Sequence, residues 1–330
     1  MRPFKYTRAS EAGAAAGAVA ANPRAKFLAG GTNLLDLMKE DVERPTELVD
    51  LTRLKLTEIR RSQGGISIGA LATNTDTANH PLIRQNYPLL TQAIVAGASG
   101  QLRNMATNGG NLLQRTRCPY FYDTAMPCNK REPGTGCGAR EGLNRMHAIL
   151  GWSEKCVATY PGDMANALYA LDAGVRVRSA EGRERTIPID EFHRLPRDTP
   201  ERDTNLEHGE LIEAIELPRS NFAKNSYYLK VRDRASYAFA LVAVAVGLEL
   251  DRGTIRQARI VLGSVAHKPW RSREAEAALS GKPVSEEAFR QAAEAALKDA
   301  KPLAHNGYKV ELGKRAVVRA LMRASKLGGA

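Results

Sequence analysis

Cysteine is absent from most of this 330-residue chain: Cys118, Cys128, Cys137 and Cys156 all fall within one 39-residue window. Within that window there is no C-x-x-C hook, which argues against a zinc ribbon, where two thiolates on one tight turn make half a tetrahedron. No stretch approaches the ~20 consecutive apolar residues of a membrane-spanning helix. The start, Met1-Arg2-Pro3-Phe4-Lys5-Tyr6, opens no apolar signal core, so no export signal is expected on this chain itself. P-loop, G-x-S-x-G and H-E-x-x-H motifs are missing, which leaves Walker-type nucleotide hydrolysis, serine-hydrolase and zincin chemistry without support. Internal repeats and long low-complexity segments are missing too.

What is present is a globular composition, with 43% hydrophobic residues and length for two or three domains. The net charge is +12, from 48 Lys+Arg against 36 Asp+Glu. These charges are spread along the chain, and no recognition motif interleaves them with aromatics. A nucleic-acid partner is therefore not expected. A basic surface that meets an acidic partner, or that aids solubility, accounts for the excess.

The cysteines are separated by nine, eight and eighteen residues, in a segment rich in turn formers: Pro119, Pro127, Asn129, Pro133, Gly134, Gly136 and Gly138. A wandering loop can place widely spaced ligands around a cluster larger than one ion. Arg115, Arg117, Lys130 and Arg131 lie close in sequence and are expected to favour thiolate over thiol. Spacing alone leaves four readings open: a four-iron cluster, a zinc site, two disulfides, or free buried thiols.

Periodicity gives a mixed α/β first half. An Ala-rich helix, Glu11 to Ala21, is expected after a Ser10 cap, then an apolar run at Lys26–Ala29 and a helix over Leu34–Lys39. Thr46–Asp50 and Gly65–Gly69 read as strands, and His80–Tyr87 and Pro88–Gly97 as helices. His147–Gly151 and Cys156–Thr159 read as strands, and Met164–Leu171 as a helix. Val175–Arg178 and Arg185–Ile187 suggest a hairpin, followed by a strand at Leu211–Leu217. Pro218-Arg219-Ser220-Asn221 is the expected linker, dividing residues 1–221 from 222–330. Beyond it, strands at Tyr227–Val231, Phe239–Leu250 and Ile255–Leu262 precede helices at Glu286–Ala300 and Val310–Lys326. That order predicts a sheet with helices on one face.

Two glycine turns carry the binding chemistry. Gly30-Gly31-Thr32-Asn33 follows a strand and opens a helix; Thr107-Asn108-Gly109-Gly110-Asn111 has the same character. Glycines let consecutive backbone N–H groups point inward as an anion-binding nest, so a dinucleotide pyrophosphate could be gripped between the two. Gly134-Thr135-Gly136-Cys137-Gly138-Ala139 fits the letters of G-x-G-x-x-[GA] but follows no apolar strand. It fails the context test for a Rossmann fingerprint.

With these residues in view, the chain resembles the flavin subunits of the molybdenum hydroxylase (xanthine oxidase) family. Lys26-Phe27-Leu28-Ala29-Gly30-Gly31-Thr32-Asn33-Leu34 is similar to their first FAD-binding loop. Ala98-Ser99-Gly100-Gln101-Leu102-Arg103-Asn104, continuing to Asn108-Gly109-Gly110-Asn111-Leu112, is similar to their second. The resemblance implies a two-subdomain FAD-binding domain of the PCMH type, then a C-terminal α+β domain with a three-stranded sheet and helices. Ordinary flavin subunits of the family lack the four thiols. The run Gln114–Asp123 and the later cysteines resemble the branch typified by bacterial periplasmic aldehyde oxidoreductase, whose flavin subunit carries a [4Fe-4S] cluster beside FAD. Cys118, Cys128, Cys137 and Cys156 would be its ligands. The flavin subunit of 4-hydroxybenzoyl-CoA reductase is a competing assignment, and a zinc- or disulfide-stabilised basic binding protein is the rival from another class.

The resemblance further implies two partners: a large subunit with a molybdenum–pterin cofactor that oxidises the aldehyde, and a small subunit with two [2Fe-2S] clusters. This chain would pass their electrons from FAD to an external acceptor, and no catalytic residue of its own is assigned. Periplasmic residence would follow from co-export with a signal-bearing partner; cytoplasmic residence is the alternative. Asp163 matches a family acid near the ribose or adenine of FAD, with a helix N-cap as its other reading. Lys230 matches a lysine that approaches the flavin, or else is a plain exposed strand lysine. Tyr237 is expected to face the isoalloxazine ring, or to be ordinary strand packing. His267 and Trp270 receive no role.

Overall fold

The computed structural model describes residues 1–326, so positions 327–330 of the expected second unit lie outside the described residues. The chain begins with a small parallel sheet. Strand β1 (Lys5–Arg8) leads through helix α1 (Ala12–Ala20) to β2 (Ala25–Leu28), and α2 (Leu34–Lys39) leads on to β3 (Glu47–Asp50). The spatial order is β1-β3-β2. Parallel strands need crossover connections: α1 joins β1 to β2 across the intervening β3, and α2 lies in the connection from β2 to its neighbour β3. Its Ala15, Ala16 and Val19 bury against Val49, Leu51 and Leu54. The expected Ser10 cap is not formed: Glu11 occupies the N-cap position and makes no side-chain cap bond.

A second, antiparallel sheet follows. Strands β4 (Ile59–Ser62) and β5 (Gly65–Gly69) come first. Short helices then run in succession: α3 (Asn74–Asn79), α4 (Pro81–Asn86), α5 (Pro88–Ala96), α6 (Gly100–Met105), α7 (Asn108–Leu112), α8 (Pro119–Tyr122) and, after the cysteine segment, α9 (Asp163–Ala170). Strands β6 (Gly174–Arg178) and β7 (Glu184–Pro188), helix α10 (Ile189–Phe192) and strand β8 (Leu211–Pro218) complete it, in the order β4-β5-β8-β6-β7.

The strands expected at His147–Gly151 and Cys156–Thr159 are not formed. Ala148 N–H donates to Val157 O, but Ile149 and Leu150 both donate to the single carbonyl of Val265, and Gly151 takes φ +58°. A ladder needs alternating partners, and this segment lacks them.

The last third holds β9 (Ser226–Val231), β10 (Val242–Asp251), β11 (Thr254–Gly263), β12 (Trp270–Arg271) and helices α11 (Arg273–Leu279), α12 (Glu286–Leu297) and α13 (Tyr308–Ser325). The sheet has four strands, β12-β11-β10-β9, rather than the expected three; β12 is only two residues long and carries no periodic signal. Arg252 (φ +48°) and Gly253 (φ +81°) make the two-residue turn between β10 and β11, the left-handed pair that a tight hairpin requires. Ser285 Oγ caps α12 by accepting from Ala288 N–H, with Glu286 and Glu287 in the first turn.

Strand β10 is apolar on both faces for a reason. Val242, Val244, Val246 and Leu248 pack into the core shared with Phe289, Val317 and Leu321 of the C-terminal helices. The alternate residues Ala243 and Ala245 belong instead to the core of Leu90, Met164 and Leu168 from α5 and α9. The sheet is therefore covered on both sides, and its second cover comes from the first half of the chain. Among the described residues, no helix is long and apolar enough to cross a membrane.

Candidate functional site

Strand β2 runs straight into the first glycine turn. Gly31 has φ +72°, and a Cβ on Gly30 would lie 1.9 Å from the Met105 carbonyl oxygen. Only glycine permits that approach, which seats the turn against the end of α6. The backbone N–H groups of Gly31, Thr32 and Asn33 find no protein acceptor among the described residues. The Asn33 side chain is engaged elsewhere: it donates to Asp36 (3.2 Å) and accepts from Arg115 N–H (2.8 Å), tying the turn to the cysteine segment.

The second turn is built from its cap. Thr107 Oγ1 accepts from Gly110 N–H (3.3 Å). Asn108 is fully buried and faces away from the turn, donating to Thr77 Oγ1 (2.7 Å) and accepting from Asn74 (3.0 Å). Gly109 lies against the second sheet, where a Cβ would sit 3.1 Å from Ala70 Cβ; on Gly110 it would meet only Thr107 Oγ1, at 3.0 Å. The open side of the turn is thus Gly110.

Both turns face one cavity of about 1180 Å³. That exceeds the ~300–1,000 Å³ of pockets for drug-sized ligands, and suits a dinucleotide. Every cofactor-binding candidate from the sequence lines it except Asn108, whose amide is consumed in the buried network with Asn74 and Thr77. Asp163 and Lys230 meet in its wall as an ion pair of 2.8 Å, their side chains 10% and 5% exposed. Tyr228 O–H donates to the other Asp163 oxygen (2.7 Å), and Lys230 also donates to Ala96 O (3.2 Å). Gly162, not Asp163, holds the N-cap position of α9, and Lys230 is not an exposed strand lysine. Tyr237 sits outside β9 and β10 at φ +51°, 58% exposed, with Arg234 donating to its carbonyl. Arg103, which also lines the cavity, braces the preceding loop by donating to Val95 O (3.2 Å) and Gly97 O (2.6 Å).

All four thiols are free, which removes the disulfide reading, and all four line a second, small cavity. Cys128 and Cys137 face each other across an isolated antiparallel bridge. Among the described residues, no three His, Cys, Asp or Glu side chains are grouped to hold a single metal ion. The nearby cations are largely engaged elsewhere, and although Lys130 still lowers the Cys156 thiol, burial outweighs it. Arg117 pairs with Asp36 (2.7 Å), and Arg131 donates to the carbonyls of Tyr120 and Phe121. Arg115 bridges Glu43 (2.5 Å) and Asp203 (2.9 Å), and Lys130 also pairs with Asp203. Burial would raise the Asp203 carboxyl, but Lys130 and Arg115 hold it well below the usual carboxylate range. Burial pushes the thiols of Cys118 and Cys156 up to about 12. Four thiols lining one cavity are donors of the type that could hold an iron–sulfur cluster.

Sequence reasoning missed His147. Its Nε2 lies 3.1 Å from Cys118 Sγ, and burial lowers the ring to about 4, so it stays neutral. No local pattern could have found it, since its partner is 29 residues away. Asp203 was missed because it sits in a Pro- and charge-rich loop that reads as a connection.

Residues 2–220 match the family described as the FAD binding domain in molybdopterin dehydrogenase, and residues 227–324 match the CO dehydrogenase flavoprotein C-terminal domain. The chain is an FAD-binding medium subunit of the molybdenum hydroxylase family. It is 49% identical over 325 residues to the aldehyde oxidoreductase FAD-binding subunit PaoB of Escherichia coli K12, covering 98% of this chain and 99% of that one. The glyceraldehyde dehydrogenase medium chain of Sulfolobus acidocaldarius is 28% identical over 291 residues, covering 88% and 85% of the two chains. Among solved structures, carbon monoxide dehydrogenase from Hydrogenophaga pseudoflava superposes with a TM-score of 0.78 at 26% identity, over 98% of each chain. As a medium subunit of this family the chain binds FAD and belongs to an oxidoreductase complex.

Proposed function

We propose that the chain is the electron-transfer subunit, carrying FAD and a [4Fe-4S] cluster, of a heterotrimeric molybdenum-dependent aldehyde oxidoreductase. It would take electrons from the [2Fe-2S] clusters of a small subunit, after oxidation of the aldehyde on a large molybdenum–pterin subunit, and deliver them to an external acceptor. The observation that carries this reading is a shared wall: Thr116 and Cys118 line both the large cavity and the cavity of the four cysteines. Two redox groups held there would be neighbours. The high identity to PaoB favours an aldehyde as the substrate of the complex.

Bound FAD would supply redox chemistry in one- or two-electron steps, and a cluster on Cys118, Cys128, Cys137 and Cys156 one-electron transfer. The chain's own residues hold and shield these groups. The backbone N–H groups of Gly31, Thr32 and Asn33 would bind the diphosphate with Gly110 opposite, and Asp163 holds the Lys230 side chain in the cavity wall. Release with a signal-bearing partner to the periplasm completes the proposal.

The test is the assembled complex purified from its native host, with FAD, iron and molybdenum quantified. Yellow flavin bands with a broad brown shoulder, and about four iron atoms on this subunit, are expected; a flavin-only subunit would overturn the cluster assignment. Turnover with aromatic aldehydes but not with an aromatic CoA thioester separates this reading from the reductase alternative.

A further inference from the structure

We propose that His147 is a positioning residue for the iron–sulfur centre, donating its Nε2–H to the sulfur of Cys118 and thereby raising the centre's reduction potential. The inference rests on the reading of the four cysteines as cluster ligands. It starts from a contact that no structural need explains: His147 is 3% exposed, and its Nε2 is 3.1 Å from Cys118 Sγ. Among the described residues, its Nδ1 meets no hydrogen-bond partner.

The surroundings show how it is held. His147 N–H donates to Asn144 O (3.0 Å), while its carbonyl accepts from Lys309 Nζ (3.0 Å) and Asn306 Nδ2 (3.2 Å). Lys309 also donates to Met146 O and Ser264 O, both at 2.9 Å. Asn306 and Lys309, at the start of α13, thus clamp the loop that carries the ring. Tyr120 packs beside it, with ring centroids 6.2 Å apart.

A metal-bound thiolate can only accept hydrogen bonds, which places the ring hydrogen on Nε2 and accounts for the bare Nδ1. Among the described residues, His147 is the one side chain that reaches any of the four sulfurs; Cys156 Sγ accepts only from the backbone N–H of Ala158, at 3.5 Å. His147 and Cys118 also both line the large cavity. The donor therefore acts on the ligand nearest the flavin. Hydrogen bonds to ligand sulfur stabilise the electron-rich reduced state, and so raise the potential.

The test compares His147→Leu, which removes the donor, with His147→Gln, which retains one, in the assembled complex. The readouts are the cluster midpoint from a redox titration followed by electron paramagnetic resonance, the FAD midpoint, and iron per subunit. A lowered cluster midpoint in H147L, with iron and the FAD midpoint unchanged and the shift smaller in H147Q, supports the proposal. Iron lost in H147L but kept in H147Q supports it as well. An unchanged midpoint in an iron-replete H147L overturns it while leaving the cluster reading intact, and equal iron loss in both variants assigns His147 to packing alone. A wild-type subunit without iron overturns the cluster reading, and this inference with it.

Discussion

Gly30 and Met105 lie in closer contact than any side chain would allow: a methyl group on the glycine would sit 1.9 Å from the Met105 carbonyl oxygen. That contact joins the first glycine turn to the segment leading into the second, so the two halves of the cavity wall hold one another in register. Gly30→Ala is expected to push the turns apart, costing about 1–3 kcal/mol as overpacking does, and to lower FAD occupancy. Gly110→Val, whose Cβ meets only Thr107 Oγ1, is expected to melt close to wild type yet also lose FAD. Flavin absorbance per protein and thermal melts separate the two, and full FAD in Gly110→Val would remove that turn from the binding site.

The Asp163–Lys230 pair makes a different demand. Asp163→Asn leaves a buried ammonium without its counter-charge, and losing one partner of a buried pair typically costs about 3–5 kcal/mol. Adding Lys230→Met should restore much of the stability without restoring FAD affinity. A denaturant series on the single and double variants, alongside FAD titration of each, checks both halves.

Lys309 gives the fold a pH signature. Burial, with a smaller contribution from Arg145, lowers it from 10.5 to about 7. Between those values the unfolded chain carries a proton that the folded chain does not, so stability rises with pH across that window, by up to about 1.4 kcal/mol per pH unit. Below pH 7 both states are protonated and the contribution is flat. Lys309→Met should abolish the slope, read as urea midpoints at pH 7 and pH 9. An identical slope in the variant would assign it to other groups.

Each of the four cysteines changed singly to Ser is expected to lower bound iron and loosen the 118–156 segment, while the glycine turns still hold FAD. Iron and flavin assays on the same preparations provide the check, and unchanged iron in all four variants would contradict the cluster.

The glycine turns were legible because their geometry is local: a left-handed Gly31 and an N-capping Thr107 sit within a few residues of what they organise. The cysteine window was legible as composition, but the burial of Cys118 and Cys156, which outweighs the nearby cations, is tertiary and has no local signal. The burial of the Asn108 side chain was not legible, because its letters suit a turn while its partners Asn74 and Thr77 lie over 30 residues earlier. Edge strand β1 and the two-residue β12 have no periodic pattern to read. His147 and Lys309 act only through tertiary contacts with residues far off in the chain.

Strand β10 presents alternate residues to two cores, one of them built by α5 and α9, and the neighbouring β9 carries Lys230 to Asp163. On the ribosome, then, the binding cleft stays unfinished until about four-fifths of the polypeptide has emerged. A nascent or truncated chain ending at Asn221 would present a half-built cleft, its alanine-facing wall stripped bare.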